Sequence, residues 1–548
     1  MARTTAFRSF ARLLTAALLA ERQGCSADDA VGALQELTQA QTASRMSRRQ
    51  FLLGAGATGA TLALGTITGF PFGVADAKPL PSSLSVGIVG AGLAGLACAD
   101  TLKARGIRAS IYEATTRTGG RCWSLRGVFP GQVAERGGEL IDALHKTIVS
   151  YAKRFRLALE DDHNQPGEIF YHFSGQRYPE SAIVAEFRDF VSVMRRDLNR
   201  LSREVTASSY TPDDVTLDRT NLLAYLEGQN GVGVPAGPLA KAAIIAAYEA
   251  EYGLAAHEQS CLTFLLFIHA DRRSQFTPFG LFSDERYHVV DGNDRIVEGL
   301  TRELPGRLTY DSRLVRVRKL SDGRIELTFR SSNRTVVHTH DVAVLAIPFT
   351  TLREVELDAS LAIPSHQLTA IRELGYGTNA KMMIGFSSRP WHTLGSNGTA
   401  YTDRANVQTT WETNPSRGTT TRGVLTDYSS GARGAGLDPS AVQVQAQRFL
   451  TDLNHVFPGT LDTATRVQGN YLAHLEHWPS NPLMKGSYAC YRPGQFTTMA
   501  GLEGVPAGNL FFAGEHTNSF YEGQGFMEGA ALSGIAAAQS ILATAKTR

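Results

Sequence analysis

A glycine-rich turn near position 90 constrains the fold of this chain more than any other feature. The apolar run at residues 85–89 predicts a β-strand, and Gly90, Gly92 and Gly95 follow it in the spacing G-x-G-x-x-G. An alanine- and leucine-rich helix begins there and ends near Gly106. In such a turn the first glycine permits the bend, the second lets a pyrophosphate approach the backbone, and the third allows the helix to pack closely on the strand. The stretch therefore predicts a phosphate-binding strand–turn–helix unit.

The second strand of this unit ends in an acidic residue. Residues 109–112 form another apolar run, and Glu113 follows it, 23 positions after Gly90. A carboxylate at that distance accepts hydrogen bonds from ribose hydroxyls, while the N–H groups at the helix N-terminus bind phosphates. The alternative, a glycine-rich turn that binds nothing, leaves Glu113 unexplained. We therefore expect a dinucleotide site in a Rossmann-like βαβ unit, with Ala94 and Ala114 among its contacts.

The bulk composition is that of an ordinary globular protein. The chain has 548 residues, of which 43% are hydrophobic, and its length is enough for more than one domain. A net charge of +2 gives no electrostatic basis for nucleic-acid binding. The cysteines form no CxxC pair and no cluster with metal-ligand spacing, so we expect no metal site. They are Cys25, Cys98, Cys122, Cys261 and Cys490.

An export signal is predicted near the N-terminus. Residues 47–52 read SRRQFL, a twin-arginine pattern, and an uncharged stretch at 51–70 and a small-x-small site at 75–77 follow it. A membrane anchor is the alternative, because the stretch is close to spanning length, but its glycine and threonine content makes it only weakly apolar. We expect a cleaved signal, recognition by the twin-arginine export machinery, and a periplasmic or secreted protein.

The rest of the chain alternates between helical and strand-like patterns. Apolar residues recur at steps of three and four within 185–201, which predicts a helical insertion, and strand-like runs return from residue 287. Asp322-Gly323 between two such runs predicts a hairpin turn. A strand at 509–513 and a glycine-rich helix start at 525–530 then repeat the chemistry of the first unit. The expected class is α/β, with a discontinuous Rossmann-like cofactor domain, a substrate domain of mixed sheet and helices, and a helical insertion.

Several blocks of the chain, in order, resemble the flavin-containing amine oxidase family, which includes monoamine, polyamine and L-amino-acid oxidases. The resemblance covers roughly residues 84–545, and its blocks at 119–121 and 514–530 are far more specific than a glycine turn alone. The other matching blocks are residues 89–95 with Glu113, residues 136–138, Val315, residues 346–348, Lys381 and Trp478.

The resemblance implies FAD as the cofactor rather than a nicotinamide. In the family, the residue matching Glu113 holds the adenosine ribose, and the backbone of the residue matching Val315 contacts adenine. The helix start matching Met527 points its N–H at the flavin ring, where the positive helix end stabilises the anionic reduced flavin. The further positions that the resemblance assigns to the cofactor are Gly120, Arg121, Gly514, Glu515 and Phe526.

The resemblance also implies which residues surround the flavin ring and the substrate, where the reaction takes place. Lys381 matches a lysine that holds a water at the flavin N5 atom, with a solvated lysine on an edge strand as the alternative. Tyr488 and Phe526 match two aromatic residues that enclose the substrate amine, with plain core packing as the alternative. Ser487 stands where monoamine oxidases attach the flavin through a cysteine, and a serine cannot form that thioether. We therefore expect non-covalent FAD.

The expected substrate is a small amine or an L-amino acid. Animal-type L-amino-acid oxidases carry a carboxylate-binding arginine where this chain has Leu140, and Arg492 is a candidate replacement. The same loop offers Glu139 and Asp142, which favours an amine or a cationic substrate, with a solvated acidic pair as the alternative.

The implied reaction is oxidative deamination with O₂, which gives an imine and then a carbonyl compound, ammonia or an amine, and hydrogen peroxide. Three alternatives stay open: an L-amino-acid oxidase specifically, a flavin desaturase or protoporphyrinogen-oxidase-like enzyme, and an FAD-binding module without turnover. A homodimer is a further expectation. The expected segments are an N-terminal extension at 1–46, the twin-arginine signal at 47–77, FAD-binding parts at 78–145, 281–345 and 495–548, a helical insertion at 146–280 and a substrate-binding domain at 346–494.

Overall fold

The structure is a computed structural model that describes most of the chain after residue 83. The predicted twin-arginine segment lies outside the described residues. The described parts are residues 84–161, 166–202, 204–233, 235–269, 285–332, 334–413, 421–518 and 523–546, together with portions of 13–34.

Helices and short strands alternate along the described chain. The helices are α1 (Leu93–Lys103), α2 (Lys146–Arg154), α3 (Glu180–Arg200), α4 (Pro212–Arg219), α5 (Leu222–Leu226), α6 (Pro238–Tyr252), α7 (Leu262–His269), α8 (Asp294–Arg302), α9 (Phe349–Leu352), α10 (Ser365–Glu373), α11 (Pro390–Thr393), α12 (Gly431–Ala435), α13 (Val442–Val456), α14 (Thr460–Thr463), α15 (Phe496–Met499) and α16 (Met527–Lys546). The strands are β1 (Val86–Val89), β2 (Ser110–Tyr112), β3 (Ser124–Leu125), β4 (Ala134–Glu135), β5 (Leu159–Asp161), β6 (Glu168–Phe173), β7 (Gln176–Tyr178), β8 (Tyr287–Val289), β9 (Leu308–Thr309), β10 (Arg313–Lys319), β11 (Ile325–Ser331), β12 (Arg334–His340), β13 (Val342–Leu345), β14 (Glu356–Leu357), β15 (Ala380–Phe386), β16 (Ser396–Thr402), β17 (Thr409–Glu412), β18 (Gly423–Ser429), β19 (Arg466–Val467), β20 (Asn470–Tyr471), β21 (Ala473–His477) and β22 (Leu510–Phe512).

A five-stranded parallel sheet in the order β22-β13-β1-β2-β9 carries the glycine turn. Strands β1, β13 and β22 are buried along their whole length, as expected for a parallel sheet that is covered on both faces. Helices α1 and α16 pack so closely that a Cβ atom on Gly534 would collide with the Ala94 carbonyl oxygen. Since the strands come from distant parts of the chain, the predicted α/β class and discontinuous Rossmann-like sheet are confirmed.

A four-stranded sheet in the order β12-β11-β10-β14 is formed by strands that follow β9 along the chain. Strands β10 and β11 are antiparallel partners joined at Asp322-Gly323, and Gly323 has φ of +87°. Glycine adopts that backbone conformation without the steric cost that other residues meet. The predicted hairpin turn is therefore confirmed.

A seven-stranded mixed sheet in the order β21-β15-β18-β17-β16-β6-β7 forms the second main layer. Its central strands β15 and β18 are fully buried antiparallel partners, whereas β16 and β6 pair in parallel. Helix α3 confirms the helix expected over 185–201. Strands β6 and β7, which precede this helix, join the mixed sheet, so the region 146–280 contributes strands as well as helices.

Part of the N-terminal extension packs on helix α3. Arg195 Nη1 lies 2.8 Å from a Glu21 carboxylate oxygen, and Arg188 donates to the Cys25 carbonyl oxygen at 2.8 Å. Leu13 and Ala17 are buried in the same apolar core as the helix. Within the described part of the chain, we find no helix with the length and apolar character needed to span a membrane.

Candidate active site

One cavity of about 530 Å³ connects the glycine turn with the mixed sheet. Most of the residues that the sequence analysis singled out border it. They are Gly90, Gly92, Ala94, Glu113, Ala114, Gly120, Arg121, Glu139, Val315, Lys381, Tyr488, Gly514, Glu515, Phe526 and Met527.

The glycine turn opens the backbone at one end of this cavity. Gly90 has φ of +101°, and a Cβ atom there would collide with the Ala346 carbonyl oxygen. Gly95 lies behind the turn, where a Cβ atom would collide with the Gly90 carbonyl oxygen, so it provides the close helix contact rather than a cavity wall. Gly92 precedes helix α1 with no side chain capping the helix. The N–H groups of the first turn therefore face a site suited to phosphate oxygens.

Glu113 places its carboxylate beside the glycine turn. One carboxylate oxygen accepts from the Ala91 N–H at 3.0 Å, and the other accepts from the Thr115 N–H at 2.9 Å. The Thr115 hydroxyl also donates to Oε1 at 2.9 Å, whereas Oε2, which accepts from the Ala91 N–H, keeps a second lone pair for a ribose hydroxyl. The carboxylate is thus held in a fixed position at the cavity wall, as recognition of a ribose requires.

An ion pair joins the first and last parts of the cofactor domain. Arg121 Nη1 donates to Glu515 Oε1 at 2.8 Å and to the Ser487 carbonyl oxygen at 2.7 Å. The second oxygen of Glu515 accepts from the Gly525 N–H at 2.7 Å, next to the start of α16. The pair is largely buried, so it fixes the two segments against each other across 394 positions of sequence.

Val315 lies at an irregularity in strand β10. The pairing of β10 with β11 shifts register between Leu314 and Arg316, so Val315 has no opposite partner on β11. A residue skipped in this way bends the strand and leaves the local ladder incomplete. Its backbone is thereby available at the cavity wall, which suits an adenine edge.

Lys381 lies at the other end of the cavity, on the buried strand β15. Its Nζ atom donates to the carbonyl oxygens of Glu135 and Gly137, both at 2.9 Å, and to Glu139 Oε2 at 2.6 Å. An ammonium group has three N–H donors, so protein acceptors use all of them. The structure therefore gives Lys381 a protein partner, Glu139, where the resemblance implied a water.

Aromatic residues enclose the space next to Lys381. The Tyr488 hydroxyl lies 3.1 Å from the Tyr428 hydroxyl, and Phe526 packs its ring 5.1 Å from that of His145. Trp411 and Tyr428, with ring centroids 5.5 Å apart, add two walls that the sequence analysis missed. They belong to the neighbouring antiparallel strands β17 and β18, and no local motif marks either of them.

Two residues expected near the substrate lie elsewhere. Asp142 is buried behind the cavity, where its Oδ1 accepts from the Glu285 N–H at 2.7 Å, while Arg492 lies 3.7 Å from Glu258 with about half of its side chain exposed. Neither residue borders the cavity. The structure corrects the expectation for both, because their side chains are directed towards other partners in the fold.

His516 is a further cavity residue that the sequence analysis did not single out. It is 1% exposed, and its ring packs 4.3 Å from that of Phe349. Burial lowers the pKa of this imidazole to about 4, so it is neutral at physiological pH. Its position in the sequence, directly after Glu515, is the signal that would have found it.

These features fit an FAD molecule. The glycine turn and the N-terminus of α1 suit the pyrophosphate, Glu113 suits the ribose, and the start of α16 at Met527 suits the flavin ring edge. A parallel sheet with a glycine turn, a ribose-binding acid and a remote aromatic pocket defines the class of dinucleotide-dependent oxidoreductases. More narrowly, the chain belongs to the flavin-containing amine oxidoreductase family, whose sequence model matches residues 93–542. The predicted export signal is confirmed by a match of residues 45–65 to twin-arginine signal sequences, which indicates a periplasmic or secreted protein.

Relatives of the chain include proteins named as L-amino-acid oxidases. The putative L-amino-acid oxidase YobN of Bacillus subtilis is 25% identical over 482 residues, which cover 83% of this chain and 94% of that protein. An L-amino-acid oxidase of Siganus canaliculatus is 24% identical over 498 residues, covering 85% and 87% of the two chains.

Solved structures of two amine oxidases share the fold. A wild-type putrescine oxidase bound to putrescine has a TM-score of 0.69 at 20% identity, and the cyclohexylamine oxidase of Brevibacterium oxydans has 0.70 at 18% identity. Both matches cover 84% of this chain and 99% of the other.

Proposed function

We propose that the protein is an FAD-dependent oxidase that deaminates a small amine or an L-amino acid with O₂. The observation that best supports this function is the continuity of one cavity from the glycine turn to the buried Lys381 and the aromatic walls. A module that only stored FAD would also enclose the flavin ring, but it would have no use for a buried, ion-paired lysine beside aromatic walls. When bound, FAD supplies hydride acceptance from the carbon bearing nitrogen and electron delivery to O₂, with an imine and hydrogen peroxide as products.

The protein's own residues hold, orient and shield the reactants. The aromatic side chains of Trp411, Tyr428, Tyr488 and Phe526 exclude water and restrict the substrate to one orientation. The N-terminus of α16 places a positive dipole end where negative charge develops on reduction. Lys381 places a fixed positive charge in the same region, where it favours the one-electron reduction of O₂.

We also infer that FAD is bound without a covalent link. Ser487 borders the cavity at the position of the attachment cysteine, and its hydroxyl donates to Asn379 Oδ1 at 2.5 Å. Cys490 is fully buried and lies outside the cavity lining. Cys122 does border the cavity, but burial raises the pKa of its thiol well above the usual value, and the thiolate is the reactive form. Acid precipitation should release all the yellow flavin into the supernatant, and colour retained in the pellet would contradict this inference.

A peroxide-coupled assay over a panel of amines and L-amino acids tests the function. The panel should contain a primary monoamine, a diamine, a polyamine, and neutral, acidic and basic L-amino acids. We expect hydrogen peroxide with a small group of these compounds, together with anaerobic bleaching of the flavin by the same group. Bleaching without peroxide would identify a dehydrogenase or desaturase, and no bleaching by any compound would reject the oxidase function.

A further inference from the structure

Lys381 and Glu139 form a nearly dry ion pair at the reacting end of the cavity. The side chains are 4% and 10% exposed, and Nζ lies 2.6 Å from Glu139 Oε2. The two backbone carbonyl acceptors of Lys381 cannot move away without distorting the chain around β4. Glu139 is therefore the only one of its three acceptors that a side-chain rotation can withdraw.

The surroundings of this ion pair are those of a binding site for an alkylammonium ion. The other oxygen of Glu139 accepts from the Trp411 indole N–H at 3.0 Å, a contact that the carboxylate can keep while Oε2 turns from Lys381 to a new partner. Nζ of Lys381 lies 6.0 Å from the ring centroid of Trp411 and 5.7 Å from that of Tyr428. Carboxylate and aromatic faces together attract a cation. Both rings and Glu139 also border the cavity, so a second cation that enters meets the same groups.

The charges along the cavity wall are distributed unevenly. Among the described lining residues, the other cations are Arg121, which is paired with Glu515, and Arg313 and Arg330, which face each other on β10 and β11 at the adenine end. At the reacting end, Glu139 neutralises Lys381. A substrate carboxylate arriving there meets no uncompensated cation among these residues, whereas a substrate ammonium meets a carboxylate that can change partner.

We propose that Glu139 recognises the positive charge of the substrate and exchanges its ion-pair partner from Lys381 to the incoming ammonium group. The exchange moves no electron and breaks no covalent bond. It frees one N–H of Lys381 for a water or an oxygen species in the cavity. The substrate class it selects is a small aliphatic or arylalkyl amine with no carboxylate on the reacting carbon. This inference rests on the proposed oxidase function for the identity of the ligand as a substrate.

A matched pair of ions that cannot be oxidised tests the recognition directly. Tert-butylammonium has no hydrogen on the carbon that bears nitrogen, and pivalate has the same shape with a negative charge. Each is titrated into the flavin-loaded protein, and the change in the flavin absorbance spectrum gives its Kd. We expect the wild type to bind tert-butylammonium at least about 10-fold more tightly than pivalate, since charge pairing in a dry site is strong.

Variants of Glu139 separate recognition from folding. Glu139→Gln should weaken tert-butylammonium at least about 10-fold and strengthen pivalate, because Lys381 then lacks its counter-ion. Glu139→Asp should keep the preference for the cation at lower affinity. Glu298→Gln, the same change at an exposed surface position, should leave both Kd values unchanged.

Two outcomes would overturn the inference. One is a wild type that binds pivalate more tightly than tert-butylammonium, and this result stands even if Glu139→Gln does not hold flavin. The other is a flavin-loaded Glu139→Gln protein with both Kd values unchanged. Neither measurement involves turnover, so a failure of the oxidase function in the peroxide assay is recognised separately.

Discussion

Lys381 is the side chain whose replacement should separate the two halves of the proposed catalytic cycle. Its positive charge is fixed by three protein acceptors beside the aromatic walls. Lys381→Met removes the charge that stabilises the developing anion when O₂ is reduced, so we expect reoxidation of the reduced flavin to slow by about 10-fold or more. Stopped-flow mixing of the photoreduced protein with O₂ measures this step without substrate.

The matched control for Lys381→Met is the double variant Lys381→Met/Glu139→Gln. A single change leaves the Glu139 carboxylate buried without its counter-ion, which destabilises the fold and can disturb flavin binding. The double variant removes both charges and should reoxidise as slowly as the single variant. An unchanged reoxidation rate in both proteins would show that Lys381 has no part in the reaction with O₂.

A buried histidine lies in the contact between the parallel sheet and the four-stranded sheet. His340, the last residue of β12, lies between the Ser85 hydroxyl and the Tyr112 hydroxyl, each 2.8 Å from one ring nitrogen. Its ring fills the space above Gly87 in β1, where a Cβ atom would collide with it. Burial lowers the pKa of His340 from 6.5 to about 4, so the folded protein holds a neutral imidazole between the two sheets.

This shifted pKa predicts how stability depends on pH. Between pH 6.5 and 4 the unfolded chain binds a proton at His340 that the folded protein does not, so stability falls as the pH falls through this window. His340→Gln removes this one proton-binding group, so the thermal unfolding midpoint should vary less with pH in the variant than in the wild type. Tyr112→Phe is the control, because it removes one of the two hydrogen bonds of this ring but keeps the imidazole and the slope. An equal slope in wild type and His340→Gln would contradict the prediction.

Elements with a local chemical signature could be read from the sequence. The glycine turn, Glu113 and the Asp322-Gly323 hairpin each depend on residues within a short stretch, where backbone sterics and spacing decide the structure. Strand β6 was not foreseen as a member of the mixed sheet, because its partner β16 lies more than two hundred positions further along the chain, and β7 joins the sheet only through β6. Non-local pairing of this kind leaves no periodicity in either segment.

The residues of the candidate site divide in the same way, into those that a motif marks and those that only the fold brings to the cavity. Lys381 and Tyr488 were placed correctly at the cavity because the family resemblance marks them, whereas Trp411 and Tyr428 reach it through the register of antiparallel strands. Asp142 was misassigned because the path of its loop, rather than its charge, decides where the carboxylate points. The ion pair of Lys381 with Glu139 joins two segments that no spacing rule connects.

The cofactor site as a whole is assembled from segments spread over residues 89–530. Its walls come from the first βαβ unit, from β10, from the mixed sheet and from the segment before α16, and Arg121 ties the first of these to Glu515 in the last. FAD therefore cannot be enclosed until all these parts have folded. Because the chain carries a twin-arginine signal, and that route accepts folded proteins, we expect the flavin to be bound before export.

The order of flavin binding and export can be tested by blocking export. Arg48→Lys/Arg49→Lys keeps the charge of the signal but removes the twin-arginine pattern, so the protein should accumulate in the cytoplasm. The retained protein should carry the same ratio of flavin to polypeptide as the exported wild type, measured by absorbance after purification from each compartment. A lysine-for-arginine pair at the exposed positions Arg105 and Arg108 is the control and should leave export intact. Retained protein without flavin, beside exported protein with it, would place cofactor binding after export.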